Sequence, residues 1–294
     1  MALSRNAYFD QKVYIAQVGD VSAQQLYGVQ GFDGSWELPL VPVKAAGYGY
    51  VGTAAQGEMQ GSVSVSRLIT ESGKTDPVIN YSEGGGLLDK PISGFLSYGT
   101  GQSYDKAFYF NQGRITSYAS ACSVGSVATS DISLSIYGEM GSGDFAGTSP
   151  ARNLIIARPG DITLNVADST TNAIQSYDLN INLDWSPLQG IGSGMKPIAY
   201  RLNYPLEISV NFEMIVNSYE SRDFFDLLCA PQVETLEIAL NNCALPIVQF
   251  NITSGHLQGT SLSSSIGDNL VGTVSYIAYV NTAAELAAVF PSVT

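Results

Sequence analysis

The chain has 294 residues, 13 Lys and Arg against 26 Asp and Glu, a formal net charge of −13, and 45% hydrophobic residues. That length and apolar content support one or two well-buried cores and exclude a disordered chain. The acidic balance argues against ordinary nucleic-acid binding, which relies on Lys and Arg to neutralise phosphates.

Only 13% of residues are charged, while 30 are Gly and 17 are Tyr, which predicts an all-β protein rich in turns. A first strand is expected over 13–17. The next runs from Val29 to Leu38, where Phe32, Trp36 and Leu38 share one face and Asp33, Ser35 and Glu37 the other. Its partner segment places Val63 and Val65 inward and Ser62, Ser64 and Ser66 outward. Pro42, Gly47 and Gly49 lie in the connection of roughly 20 residues between them, a length that in compact domains is usually functional. Further strands are expected over 107–110, 115–120, 132–137, 154–157, 162–166, 235–240, 247–253 and 272–279. Two helices are expected, over 219–229 and 282–289, so the fold class is all-β with minor helices.

One stretch of strand-like sequence is written twice. VQGFDGSWEL at Val29 returns as IQSYDLNINL at Ile174, a shift of 145 residues (174 minus 29). An ungapped overlay of 29–67 on 174–212 aligns nine identical pairs, among them Gln30/Gln175, Asp33/Asp178, Pro42/Pro187, Gly47/Gly192 and Gly49/Gly194. Because turn-forming Pro and Gly match as well as strand residues, shared composition does not account for the echo. The copy repeats the alternation: Asp178, Asn180 and Asn182 stand between Tyr177, Leu179, Ile181 and Leu183, and Glu207, Ser209 and Asn211 flank Ile208 and Val210. Two similar tandem domains follow, over 1–140 and 151–294, joined by a Gly-rich linker over 141–150.

Catalytic signatures are weak. Gly47, Gly49 and Gly52 match a dinucleotide fingerprint, but no buried parallel strand precedes them and no helix follows, so a duplicated backbone turn explains them better. His256 is the single histidine, without a plausible Cys or Asp partner nearby, and Cys122, Cys229 and Cys243 lack metal-ligand spacing and read as buried free thiols. Asn251 opens a sequon that reads as strand sequence. Neither a basic-then-apolar leader nor a run of roughly 18 apolar residues is present, so synthesis in the cytoplasm without membrane insertion is expected. Neither cofactor, metal nor catalysis is expected.

Several segments carry a family resemblance: SRNAYFDQKVYIAQ, LYGVQGFDGSWELP, MQGSVSVSRLI and RITSYASACSVGSVATSDISLSIYGE in the first half, and IQSYDLNINLDWSPL, YPLEISVNFEMIV and SLSSSIGDNLVGTVSYIAY in the second. Together they resemble the tail tube (major tail) proteins of tailed bacteriophages. The resemblance implies that each domain is a small β-sandwich or barrel adding strands to an inner barrel, that rings stack into a hollow virion tube, and that viral DNA passes through its lumen without specific binding. With two copies per chain, it implies a homo-oligomeric ring of three chains with pseudo-sixfold symmetry, six chains with one copy decorating the tube being the alternative. On this reading the lumen is lined by the polar residues at 33, 35, 37, 62, 64, 66, 178, 180, 182, 207, 209 and 211, with Arg67 a basic exception. The connections carrying Pro42, Gly47, Gly49, Pro187, Gly192 and Gly194 would contact stacked rings, and other tail proteins would be further partners. A distal tail or baseplate ring of the same fold, or a carbohydrate-binding β-sandwich using Trp36 or Trp185, are the competing expectations.

Overall fold

A computed structural model describes residues 11–20, 23–37, 40–45, 47, 49–55, 60–70, 76–81, 86–98, 107–143, 147–148, 154–157, 161–166, 169–171, 174–188, 190, 197–215, 234–243, 245–263 and 270–291. The first half contains β1 (Gln11–Gln17), β2 (Ala23–Leu26), β3 (Val29–Glu37), β4 (Leu40–Ala45), β5 (Gly49–Ala55), β6 (Gln60–Leu68), β7 (Ile92–Tyr98), β8 (Ala107–Ser123) and β9 (Thr129–Ile136). Two short strands follow, β10 (Met140–Gly143) and β11 (Gly147–Thr148). The second half contains β12 (Ile162–Val166), β13 (Ser169–Thr171), β14 (Ile174–Asn182), β15 (Trp185–Leu188), β16 (Ala199–Leu202), β17 (Leu206–Ile215), β18 (Glu234–Asn242), β19 (Leu245–Ser263), β20 (Val271–Val280) and the helix α1 (Ala283–Ala288). The fold is all-β.

Pairing repeats along with sequence. In the first half the hydrogen-bonded order is β3-β6-β9-β8-β7-β1-β2, and in the second it is β14-β17-β20-β19-β18-β12-β13. Position by position, each strand has its counterpart. A bulge interrupts β3 between Val29 and Gly31 and β14 between Ile174 and Ser176, positions that the 145-residue shift equates. The registers differ: Asp33 faces Ser64, whereas Asp178 faces Asn211, two residues further along. A slip of two leaves every side chain on its original face, because the strand period is two.

Strands expected over 107–110 and 115–120 are one strand, β8, and β19 is its long counterpart. The N-terminal part of β8 pairs with β7 while its C-terminal part pairs with β9, and β19 divides likewise between β18 and β20. Bulges at Thr116 and Gln258 adjust the ladders there. The apolar faces of the two arms meet in one core, in which Val13 and Ile15 join Val63, Val65, Ile132 and Leu134. The second copy adds Leu179, Ile181, Ile208 and Val210 to the same cluster.

The helix expected over 282–289 is α1. Thr282 caps it, its hydroxyl accepting from the Glu285 amide at 3.2 Å, while the Glu285 carboxylate accepts from the Asn281 amide at 2.7 Å. Beyond it Phe290 stacks on Tyr81 at 5.8 Å and meets Tyr118 and Phe250 edge-on, so the C-terminal segment ties both copies together. Thr282→Ala should therefore lower stability by about 1 kcal/mol in chemical denaturation, the usual cost of a lost cap. Residues 154–157 form no strand. Leu154 and Ile156 are exposed, the segment's backbone bond goes to the Thr70 carbonyl, from Ile155, and no ladder partner lies beside it among the described residues. The expected helix over 219–229 lies outside the described residues, as does Cys229. Of the other cysteines Cys122 is buried, whereas Cys243 is exposed in the turn between β18 and β19, correcting the expectation of a buried thiol. Part of the expected linker is strand, with β10 pairing β8 and β11 pairing β2.

Candidate functional site

A polar sheet face crosses from one copy into the other. Within the second copy β14 pairs with β17, and on its other edge it pairs with β8 of the first copy, Ser176–Asn182 running against Ser123–Ser117. The sheet is therefore unbroken across the boundary. One row of facing residues reads Asp33, Ser64, Ser133, Ser117, Asn182, Glu207 and Tyr279 over seven strands. The next reads Gly31, Ser66, Asp131, Ala119, Asn180, Ser209 and Ile277. Asp178 stands in a third row, between Ala121 and Asn211. Asp33 and Asp178, equivalent in sequence, thus share a face but not a row.

Each sequence-predicted polar residue lies on the face expected of it. Asp33, Ser35, Glu37, Ser62, Ser64 and Ser66 are exposed, as are Asp178, Asn182, Glu207 and Asn211, while Asn180 and Ser209 are half-buried. Hydroxyls and carboxylates on this face bond one another: Ser35 to Ser62 at 2.8 Å, Ser66 to the Asp131 carboxylate, Ser176 to Glu213 at 3.1 Å and Ser275 to Asn211 at 2.7 Å. Sequence reasoning missed Asp131, Ser133 and Ser117. For Asp131 and Ser133 the signal was present in SDISLSI at 130–136, whose period-two alternation matches that of the strands it joins.

Arg67 is not part of that face. It continues the inward series of Val63 and Val65, is 2% exposed, and its guanidinium is paired with the Asp76 carboxylate while Nε donates to Ser130 at 3.0 Å. Its counterpart Phe212 is fully buried, as an inward position requires. Trp36 is also misplaced by simple alternation: it is 61% exposed, because β3 pairs on one side only among the described residues, with β6.

The joint between copies is tightly made. Trp185 Nε1 donates to the Ile115 carbonyl at 2.8 Å, and the Leu183 amide donates to the Thr116 carbonyl at 2.9 Å. The Arg114 guanidinium lies 5.3 Å from the Trp185 ring centre and 4.4 Å from that of Tyr200, and burial lowers its pKa from the usual arginine range. Tyr177 is buried beneath the joint with its hydroxyl 3.0 Å from that of Ser120, and burial pushes the phenol up. Trp185 is thus engaged in the joint.

The connections expected to be loops are hairpins. Pro42 is exposed on β4 and Gly49 lies on β5, with Gly47 in the turn at φ +86°, a value that favours glycine. Pro187 is exposed on β15, which pairs with β16; Gly192 and Gly194 lie outside the described residues. Val43 and Leu188, equated by the same shift, are both exposed on these hairpins. Among the described residues no three His, Cys, Asp or Glu side chains converge as a metal site requires, and no helix is long and apolar enough to cross a membrane.

No family model and no curated protein matches the chain. Among solved structures, Hcp1 from Flavobacterium johnsoniae aligns with a TM-score of 0.25 at 13% identity, over 41% of this chain and 95% of that one. At that level of likeness neither fold nor function follows.

Proposed function

We propose that the chain is a non-catalytic virion structural protein that self-assembles into rings, three chains to a ring with pseudo-sixfold symmetry, which stack into a hollow phage tail tube for DNA ejection. The observation that carries this reading is the sheet passing from one copy to the next through β8 and β14 without loss of its polar face. A module that adds its first strand to the edge of its neighbour is a unit that propagates. Repeated around a closed ring, it leaves no edge of the polar face exposed.

The polar face becomes the lumen wall. Its central rows carry Asp33, Asp131, Asp178 and Glu207 and no Lys or Arg. Phosphates meet hydroxyls, amides and like charge, so DNA slides past without being held. Viral DNA is then a passenger and not a ligand. The β4–β5 and β15–β16 hairpins, with Val43 and Leu188 exposed, are the proposed contacts between stacked rings and with other tail proteins.

Electron microscopy of the purified protein tests this reading. Rings or tubes with a central channel and threefold symmetry are expected, and a monodisperse monomer at high concentration overturns it.

A further inference from the structure

Resting on that self-assembly reading, we infer that β3 of one chain pairs antiparallel with the C-terminal part of β19 of the next, in the register Gly31–Ser35 against Ser263–Gly259. The joint inside the chain supplies the template. In it β14 lies on β8, with Asp178 opposite Ala121 and Tyr177 opposite Cys122. The counterpart of β14 is β3, and the counterpart of β8 is β19. Among the described residues β3 pairs with β6 alone, and Gly259–Ser263 pairs with β20 alone. The chain therefore carries one further copy of each half of its own internal joint, with no strand on its outer edge among the described residues.

The register follows from the ladders. Val65 faces Ile132 in the first copy, and Val210 faces Tyr276 in the second, so Ile132 and Tyr276 correspond, and with them Thr129 and Thr273. Ala121 faces Thr129 and Ser261 faces Thr273, so Ala121 and Ser261 correspond, and after them Cys122 and Leu262. Transferring β14 onto β3 then puts Asp33 opposite Ser261 and Phe32 opposite Leu262. Beyond the bulge at Gln258, Trp36 comes beside Leu257 and Glu37 beside His256.

Exposure supports the same assignment. Ile181, inside the chain's own joint, is fully buried, whereas its counterpart Trp36 is 61% exposed. Cys122 is 6% exposed, whereas its counterpart Leu262 is 54% exposed. Two large apolar side chains are bare where the finished joint buries theirs, one on each unpaired edge. An exposed, unprotected edge of this kind is a template for a further strand. The template is not copied in full: the position of Arg114 is held by Ser254 and that of Trp185 by Leu40, so the joint between chains lacks the arginine stack and is the weaker of the two.

A chain carrying Asp33→Cys and Ser261→Cys tests the register, since both positions are exposed and directly opposed residues bring their Cβ atoms within about 5 Å. Oxidation after assembly should give 33–261 disulfides between chains, mapped by peptide mass spectrometry, in a ladder on denaturing gels that ends at a closed ring. A chain with Asp33→Cys and Leu262→Cys, slipped by one residue onto opposite faces, should cross-link at least tenfold less. Bonds joining position 33 to position 33, or rings and tubes seen by electron microscopy without 33–261 bonds, overturn this pairing and leave the ring reading standing. A chain that remains monomeric in the same micrographs overturns both.

Discussion

Asp76→Ala is expected to destabilise the chain by about 3–5 kcal/mol, measured by chemical denaturation at fixed chain concentration. The residue is itself unremarkable in sequence, an Asp before a Pro. Its carboxylate accepts from the Val78 amide at 2.9 Å and pairs with Arg67, which sits on the core face of β6 in line with Val63 and Val65. Removing it takes a carboxylate from a guanidinium held in the core, where Nε also donates to Ser130, and a buried charge that loses a counter-charge costs far more than a lost surface pair. The second copy indicates the rescue. At the corresponding position it carries Phe212, fully buried, so an apolar residue suits that place in the module. Arg67→Met combined with Asp76→Ala should recover to within about 1–2 kcal/mol of the parent. If Asp76→Ala unfolds at the parent's denaturant concentration, the pair contributes nothing and the account of the buried face is wrong.

That contrast also marks what a sequence can and cannot reveal here. Period-two alternation located β3, β6, β14 and β17, because a half-buried strand leaves a direct trace in residue type. The same trace ran through 130–136. Arg67 broke the pattern and was assigned outward by charge alone, since its partner Asp76 is separated from it by a segment with no periodicity. Trp36 shows the converse. Large and apolar at an inward-facing position, it reads as core, yet it is exposed because its burial needs an edge that the chain places elsewhere. Residues 154–157, a short apolar run, have no ladder among the described residues, since residue type reports burial and says nothing of a strand's neighbours. The duplication was legible because turn residues matched along with strands. The fusion of both copies through β8 and β14 was not, because strand order depends on contacts between segments far apart in sequence.

Reversing charge on the polar face should turn a passive channel into one that grips DNA. Asp33, Glu37, Asp178 and Glu207 are exposed and none joins the core, so replacing all four with Lys should leave folding and ring formation intact. Each exchange adds two positive charges, moving the formal charge of the chain from −13 to about −5. Up to four new phosphate contacts per chain would give the binding constant a slope near −3.6 against the logarithm of salt concentration, so affinity should fall about 100-fold between 50 and 200 mM salt. The parent should show no such retention. Assembled particles of the variant should therefore hold duplex DNA at low salt, release it at high salt and, in virions, slow ejection. Location is read by nuclease: DNA held inside a tube is protected along its length, whereas DNA coating the exterior is digested. Complete digestion of the retained DNA would place the four residues outside the tube and overturn the lumen assignment.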